Sequence, residues 1–192
     1  NLLEPGNTPW KNKQFLLFLV AFIKAVDEYQ DLIRVTTASA SNDHRLGASE
    51  APPAIISIFL GEELTKMLEA FGNSKYKAKD REDMEFGVHY LAKLTKDLTD
   101  RNRTSPLAFT GNKFEFRMVG SSLSISGPNI ILNTVVAEAL SQFADTLEKS
   151  SNFEKDLDEL IKDTFAKHKR IVYNGNNYSD EWVKEAEKRG YL

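Results

Sequence analysis

The sequence predicts an α+β domain that is mostly helical and has a few short antiparallel strands. Long segments repeat apolar residues at the three- and four-residue steps of helices. The apolar runs that fit strands are short and lie between polar loops. The chain has 192 residues, enough for one domain with a sizeable core. The predicted strands are too few to close a sheet, so we expect further strands from a longer protein.

Composition restricts the function classes. Hydrophobic residues make up 41% and charged residues 28% of the chain, as in ordinary globular proteins. The net charge of −3 gives no general attraction to nucleic acid or to an anionic membrane, so we predict neither as a partner. The chain has no cysteine, which excludes disulfides, a thiolate nucleophile and a cysteine-based metal site. This composition fits a reducing compartment.

The first third of the chain alternates helices with short extended segments. Residues 13–33 begin with a run of nine apolar residues and continue with helical spacing, which predicts a helix buried all round at its start. Such a run is far shorter than the roughly 20 residues that span a bilayer. Residues 34–40 are β-branched and then small, which predicts a short strand, and a polar loop follows at 41–53. Residues 54–60 fit a strand buried on both faces, and 62–71 fit a helix.

A hairpin and a long helix dominate the rest. A charged loop at 72–83 leads into a helix whose apolar face consists of Met84, Val88 and Leu91. Strands at 107–110 and 113–119 turn at Gly111 and Asn112. Residues 129–149 carry apolar side chains at three- and four-residue steps, which predicts an amphipathic helix.

Polar residues mark the starts of the last two predicted helices. Ser151 with Glu154 forms a capping box, and Ser179 caps a final helix that stops at Gly190. The basic run 167–170 lies at a helix end, where cations complement the helix dipole. We therefore assign it no role in nucleic-acid binding.

The segment 113–117 alternates apolar and charged residues. On a strand, Phe114 and Phe116 point to one face and Lys113, Glu115 and Arg117 to the other. We expect the phenylalanines to pack against the helix that begins near Asn129. The charged face could bind a metal, an anionic substrate or both, with Arg103 and the loop at 42–50 on the same side. From the pattern alone, a row of cross-strand ion pairs on a half-buried sheet is the favoured explanation.

Three strings resemble the glutamine synthetases, most closely their large type III class. They are NDHRLGASEAPPAIISIFLGEEL at 42–64, NRTSP…FTGNKFEFRMVGSS at 102–122 and HKRIVYNGNNYSDEWVKEAEKRG at 168–190. Type III enzymes are several times longer, and both ends of this chain look cut. The resemblance therefore identifies 1–192 as the carboxy-terminal part of a glutamine synthetase catalytic domain. It also implies a class-specific helical insertion near 61–100, whose helices could serve subunit contacts.

The resemblance implies a reaction and its participants. Glutamine synthetases phosphorylate the side-chain carboxylate of glutamate with ATP, and ammonia then displaces the phosphate. They are cytoplasmic enzymes of nitrogen metabolism that use Mg²⁺ or Mn²⁺ and assemble into stacked homo-oligomeric rings. Positioning and charge neutralisation dominate phosphoryl transfer, so arginines and carboxylates are the expected site residues. Because this chain resembles only part of such an enzyme, we expect it to be inactive alone.

The string at 42–64 provides the implied glutamate-binding residues. Arg45 matches an arginine that binds the substrate carboxylate. Glu50 matches a catalytic glutamate on a flap that closes the site and takes a proton from ammonium. Gly47 supplies the freedom that such a flap needs. The spacing from Arg45 to Glu50 is about one residue shorter than in the common bacterial type, and a surface loop with two exposed charges is the alternative.

The phosphate-binding residues implied by the resemblance are Arg103 and Lys113. Arg103 matches an arginine that contacts the transferred phosphoryl group. The common bacterial type has a second arginine five residues later, where this chain has Ala108. Lys113 stands where that type often has a further phosphate-contacting arginine, and lysine supplies charge without a bidentate fork.

The implied metal ligand is Glu115, beside Arg117, which matches an arginine facing both the substrate and the phosphoryl group. One carboxylate does not make a metal site, so the other ligands, including a histidine, would precede Asn1. Of the three histidines, His44 adjoins Arg45, although a solvent-facing position is favoured. His89 and His168 receive no role.

Two other functions remain open. The chain could belong to another carboxylate–amine ligase of the same superfamily, such as one that joins glutamate to a polyamine. It could instead be a non-catalytic assembly or regulatory module that kept the fold. Upstream glutamates and a histidine would favour an enzyme.

Overall fold

Helices make up most of the part of the chain that the structure describes. The computed structural model describes residues 1–48, 50–71 and 104–191. Its helices are α1 (Lys13–Glu28), α2 (Gln30–Val35), α3 (Ala40–Arg45), α4 (Glu62–Phe71), α5 (Ser126–Leu147), α6 (Phe153–His168) and α7 (Asp180–Lys188), with 3-10 turns at Pro9–Lys11 and Lys169–Ile171. The strands are β1 (Ile58–Phe59), β2 (Leu107–Phe109) and β3 (Phe114–Phe116). The predicted α+β class is confirmed.

The core is built around α1. Asn12 caps this helix by accepting a hydrogen bond from the Phe15 amide. The helix packs against α5 and α6, and its apolar side chains Leu16, Leu19, Val20 and Ile23 are completely buried. Within the described ranges, no helix is both long enough and apolar enough to cross a membrane.

The three strands form one mixed sheet in the order β1–β2–β3. The predicted hairpin is found: β2 and β3 pair antiparallel, and Gly111 in their turn has a φ of +102°, which favours glycine. The β1–β2 pair is parallel, in contrast to the purely antiparallel strands predicted. Parallel neighbours need a long crossover connection, and the chain between β1 and β2 includes α4.

The predicted strand at 34–40 is wrong. The helix predicted at 13–33 divides at Tyr29, and α2 continues to Val35. The hydroxyls of Thr36 and Thr37 then donate to carbonyls in the last turn of α2. Threonine hydroxyls can satisfy helix ends in this way instead of favouring a strand. Ser39 caps α3, so the predicted polar loop at 41–53 begins as a helix.

Two of the remaining helices begin at residues other than those predicted. α5 begins at Ser126 instead of 129. α6 is capped by Asn152, whose side chain accepts from the Lys155 amide, so the predicted capping box at Ser151 is wrong. The predicted cap at Ser179 is confirmed by its hydrogen bond from the Trp182 amide. α4 agrees with its predicted bounds, whereas the predicted loop and helix at 72–100 lie outside the described residues.

Candidate functional site

The charged face of β3 gathers three of the predicted site residues. Arg117 Nη2 lies 2.8 Å from Glu115 Oε2, and Lys113 Nζ lies 3.4 Å from Glu115 Oε1. The Thr110 hydroxyl is 3.4 Å from the same carboxylate. Ala108, where the common bacterial type has a second arginine, is the cross-strand neighbour of Glu115. The face therefore has one carboxylate between two cations, as the alternating sequence predicts.

These ion pairs determine the charge of the carboxylate. The hydrogen bond from Arg117 lowers the pKa of Glu115 below its ordinary value, and Lys113 contributes in the same direction against the opposing effect of burial. Glu115 therefore stays ionised at neutral pH. Its side chain is 39% exposed, so the charge remains accessible to a ligand.

The opposite face of β3 packs on α1. The ring of Phe114 stacks on Phe22 with centroids 3.8 Å apart, and it lies 5.3 Å from the Phe109 ring. Phe114 and Phe116 are both half-buried against the core. The stacking ring for Phe114 therefore comes from α1, whereas we expected the packing partner to be the helix near Asn129. Aromatic packing still fixes which face of β3 carries the charges.

Arg45 is held next to the end of β3. Its Nε and Nη2 donate to Asn42 Oδ1 at 3.1 and 2.9 Å, and Nη2 also donates to the Met118 carbonyl at 3.1 Å. Asn42 is buried and donates to the same Met118 carbonyl. Met118 directly follows Arg117 in the chain. The fold thus brings α3 to the backbone that follows β3, although about 70 residues separate them in sequence.

Glu50 lies in a solvent-facing turn. Gly47 has a φ of +85°, and its amide donates to the carbonyls of Ala51 and Pro52. Glu50 is exposed, and no described residue forms an ion pair or hydrogen bond with it. The neighbouring His44 is also exposed. The described residues therefore hold Arg45 in place but leave the Glu50 side chain in solvent.

The described part of the chain does not form a metal site. It contains no cluster of three histidine, aspartate or glutamate residues that could bind a metal. Near Glu115 the other polar side chains are two cations and the Thr110 hydroxyl, whereas Mg²⁺ and Mn²⁺ need several oxygen or nitrogen ligands. Arg103, the predicted phosphate-contacting arginine, lies outside the described residues.

Sequence reasoning missed a buried ionic cluster around Asp27. This carboxylate accepts from His168 Nδ1 and Arg170 Nε, both at 2.8 Å, and from the Tyr191 hydroxyl at 3.1 Å. The cluster joins α1 to the chain after α6. His168 lies 141 positions from Asp27, so no local pattern in the sequence could indicate the pairing.

Sequence comparisons provide independent information on the family. Residues 156–192 match the family described as "Glutamine synthetase C-terminal domain". The chain is 50% identical over 194 residues to "Type-3 glutamine synthetase" of Dictyostelium discoideum, across 99% of this chain and 26% of that protein. These matches confirm the resemblance to type III glutamine synthetases.

Two bacterial proteins named "Glutamine synthetase" give the same result. The protein of Butyrivibrio fibrisolvens is 47% identical and that of Bacteroides fragilis strain YCH46 is 41% identical, each over 198 residues. Both alignments cover 99% of this chain and 27% of the relative. The chain thus spans about a quarter of the length of the glutamine synthetases that it matches.

Proposed function

We propose that this chain is part of the catalytic region of an ATP-dependent glutamate–ammonia ligase. In this reaction the side-chain carboxylate of glutamate attacks the terminal phosphorus of ATP, which gives γ-glutamyl phosphate and ADP. Ammonia then attacks the acyl carbon, and phosphate leaves. The main support is the match to glutamine synthetases over nearly the whole of this chain, together with the hydrogen bond that holds Arg45 at the Met118 carbonyl, one residue after Arg117.

Arg45 is proposed to bind the glutamate substrate, with the freedom of Gly47 serving the adjacent flap. Its hydrogen bonds to described residues use Nε and Nη2, so the second terminal nitrogen can donate to a substrate carboxylate. Its position is fixed before binding, which reduces the entropy lost when substrate binds. Glu50, on the exposed turn, is proposed to take a proton from ammonium once the flap closes.

The charged face of β3 is proposed to meet the phosphoryl group. Arg117 would contact both substrate and phosphoryl oxygens, Lys113 would add charge near the phosphates, and Arg103 would neutralise the group in transfer. Guanidinium groups suit this task because they donate two parallel hydrogen bonds to phosphate oxygens. Glu115 is proposed as a single metal ligand whose partners lie elsewhere in the full-length protein, which would use ATP with Mg²⁺ or Mn²⁺.

The proposal extends to the full-length protein. We propose a cytoplasmic enzyme of glutamine biosynthesis that forms homo-oligomeric rings, with glutamate, ammonia and ATP as substrates. The stretch near 61–100, of which α4 is the described part, is proposed as a class-specific insertion. A ligase for another amine is the alternative, because Arg45 would serve either reaction and the amine pocket is not identified. A non-catalytic assembly or regulatory module that kept the fold is the second alternative function.

The first experiment tests whether the chain suffices for catalysis. The purified 192-residue chain, given glutamate, ATP, ammonia and Mg²⁺ or Mn²⁺, should produce no glutamine because Glu115 has no further metal ligands among the described residues. The full-length protein assayed in parallel should produce glutamine. Metal-dependent turnover by the chain alone would contradict its proposed inactivity. A full-length protein that forms no glutamine would contradict the proposed function.

A second experiment separates the roles of two arginines in the full-length protein. Arg45→Ala should raise KM for glutamate roughly 10- to 100-fold, because a hydrogen bond to a charged group contributes about 1.5–3 kcal/mol. Arg103→Ala should mainly lower kcat, because the charge it meets grows in the transition state. Arg34→Ala is the control, since Arg34 pairs with Asp43 on the same helix as Arg45 but should leave both constants unchanged. Interchanged defects would refute the assigned roles.

A further inference from the structure

The turn at 173–177 connects the carboxy-terminal part of the chain to the start of the hairpin. Asn177 is 1% exposed. Its backbone amide donates to the Thr104 hydroxyl at 3.1 Å, and that hydroxyl lies 3.4 Å from Asn177 Oδ1. Its side-chain nitrogen donates to Ser57 Oγ, just before β1, at 2.9 Å. One buried asparagine therefore holds Thr104 and Ser57 together.

The turn itself is anchored through Asn174. Asn174 Oδ1 accepts from the amides of Leu60 and Gly61 at 3.1 and 2.9 Å, and Nδ2 donates to the Thr65 hydroxyl at 2.9 Å. A Cβ at Gly175 would lie only 2.4 Å from atoms of the Tyr173 side chain, so a larger residue there would displace the Tyr173 ring from its stack on Trp182. The hydrogen bonds of Asn174 therefore fix the backbone of the turn that carries Asn177.

The contacts continue from Thr104 to the charged face. Ser105 is 1% exposed, and its hydroxyl donates to the Leu107 carbonyl at 2.8 Å. The Arg117 amide donates to the Pro106 carbonyl at 2.8 Å. The short segment 104–106 is therefore bound to the turn at one end and to the end of β3 at the other. Arg103 directly precedes this segment in sequence.

We propose that Asn177 is a positioning residue of the ligase, an inference that rests on the proposed function. By fixing the Thr104 hydroxyl, Asn177 holds the segment 104–106, whose Pro106 carbonyl accepts from the Arg117 amide, and so positions Arg117 for the phosphoryl group. Thr104 cannot move away without leaving a buried amide unsatisfied. Misplacing a reacting or charge-stabilising group by about 1 Å can reduce turnover about 100-fold, so this contact affects catalysis without touching substrate.

The test measures glutamine synthesis by variants of the full-length protein. Thr104→Val removes both contacts with Asn177 and should lower kcat about 10- to 100-fold. Asn177→Ala keeps the backbone amide that donates to Thr104 and should lower kcat by a smaller factor. Both variants should change KM for glutamate by less than about twofold. The double variant should be no slower than Thr104→Val, because Thr104→Val already removes both the backbone and the side-chain contact between the two residues. Thr104→Val is nearly isosteric, which keeps the test valid if Asn177→Ala does not fold.

Two control variants separate positioning from general loosening. Ser57→Ala removes the other side-chain contact of Asn177, and Asn176→Ala removes an exposed hydrogen bond from the Tyr178 amide within the same turn. Both should retain kcat within about twofold.

Three outcomes would overturn the inference while the wild-type protein is active. The first is an unchanged kcat in Asn177→Ala or in Thr104→Val. The second is multiplication of the two single losses in the double variant, and the third is an equal kcat loss in Ser57→Ala. A wild-type full-length protein that makes no glutamine would instead refute the proposed function, and the positioning role with it.

Discussion

Replacing Asp27 with alanine should destabilise the chain strongly, because three groups share its carboxylate. Asp27 is 4% exposed and His168 is equally buried. The Tyr191 hydroxyl also loses its acceptor in this variant, and burial together with the charge of Asp27 raises the pKa of Tyr191 above its ordinary value. Arg170 is the third partner, and its side chain is 49% exposed.

The expected loss follows from these burial values. Removing one partner of a buried ion pair costs about 3–5 kcal/mol. We expect about 3 kcal/mol, because the half-exposed Arg170 can turn to water. For a chain of this length that corresponds to a decrease in Tm of about 6–12 °C. Urea unfolding of the 192-residue chain, followed by circular dichroism, measures the free energy directly.

Asp31→Ala is the matched control. Asp31 is an exposed aspartate four residues later, and its replacement should change the free energy of unfolding by about 0.5 kcal/mol or less. The free energy of unfolding could instead fall by less than about 1 kcal/mol in Asp27→Ala, or by the same amount in both variants. Either result would refute the view that the cluster stabilises the packing of α1 against the residues after α6.

The remaining predictions concern pH and backbone shape. The folded pKa of Tyr191 is raised, so its contribution to stability is present below about pH 10 and is lost as pH rises. In Tyr191→Phe, the free energy of unfolding from urea titrations should therefore fall less steeply above pH 10 than in the wild type. The pKa of Glu115 is lowered, so its contribution is present above about pH 4.5 and is lost in acid; NMR titration should find that Arg117→Gln raises this pKa, and an unchanged value would contradict the ion pair. Gly175→Ala should lower the free energy of unfolding by about 1–3 kcal/mol, because its Cβ would clash with the neighbouring tyrosine. Gly127→Ala is the control: its Cβ position has open space around it, so the same urea assay should find no loss of stability.

Local signals predicted the elements that depend on local chemistry. Periodicity predicted the bounds of α4. A glycine between two apolar runs predicted the hairpin turn, where Gly111 has a positive φ. A serine before the last helix predicted the cap, and Ser179 accepts from the Trp182 amide. The sequence Thr36-Thr37 misled the prediction, because threonine suits both a strand and a helix end. The parallel pairing of β1 with β2 depends on contacts between distant segments, which the periodicity of either strand cannot indicate.

The candidate site likewise combines contacts that local sequence signals predicted with contacts that they did not. Alternation predicted the shared face of Glu115 and Arg117, and the resemblance to glutamine synthetases suggested their roles. Neither source indicated that Phe22 would provide the stacking ring under β3. Neither indicated that Asn177 would hold Thr104, although both residues lie in strings that carry the resemblance. Long-range packing decides these contacts.

The most direct measurement follows oxygen-18 placed in the side-chain carboxylate of glutamate. The full-length protein is incubated with this substrate, ATP and ammonia, and the released phosphate and glutamine are analysed by mass spectrometry. The proposed reaction predicts one labelled oxygen in each phosphate, because the carboxylate attacks phosphorus and the acyl carbon–oxygen bond then breaks. Unlabelled phosphate, or the absence of glutamine, would contradict the proposed ligase reaction.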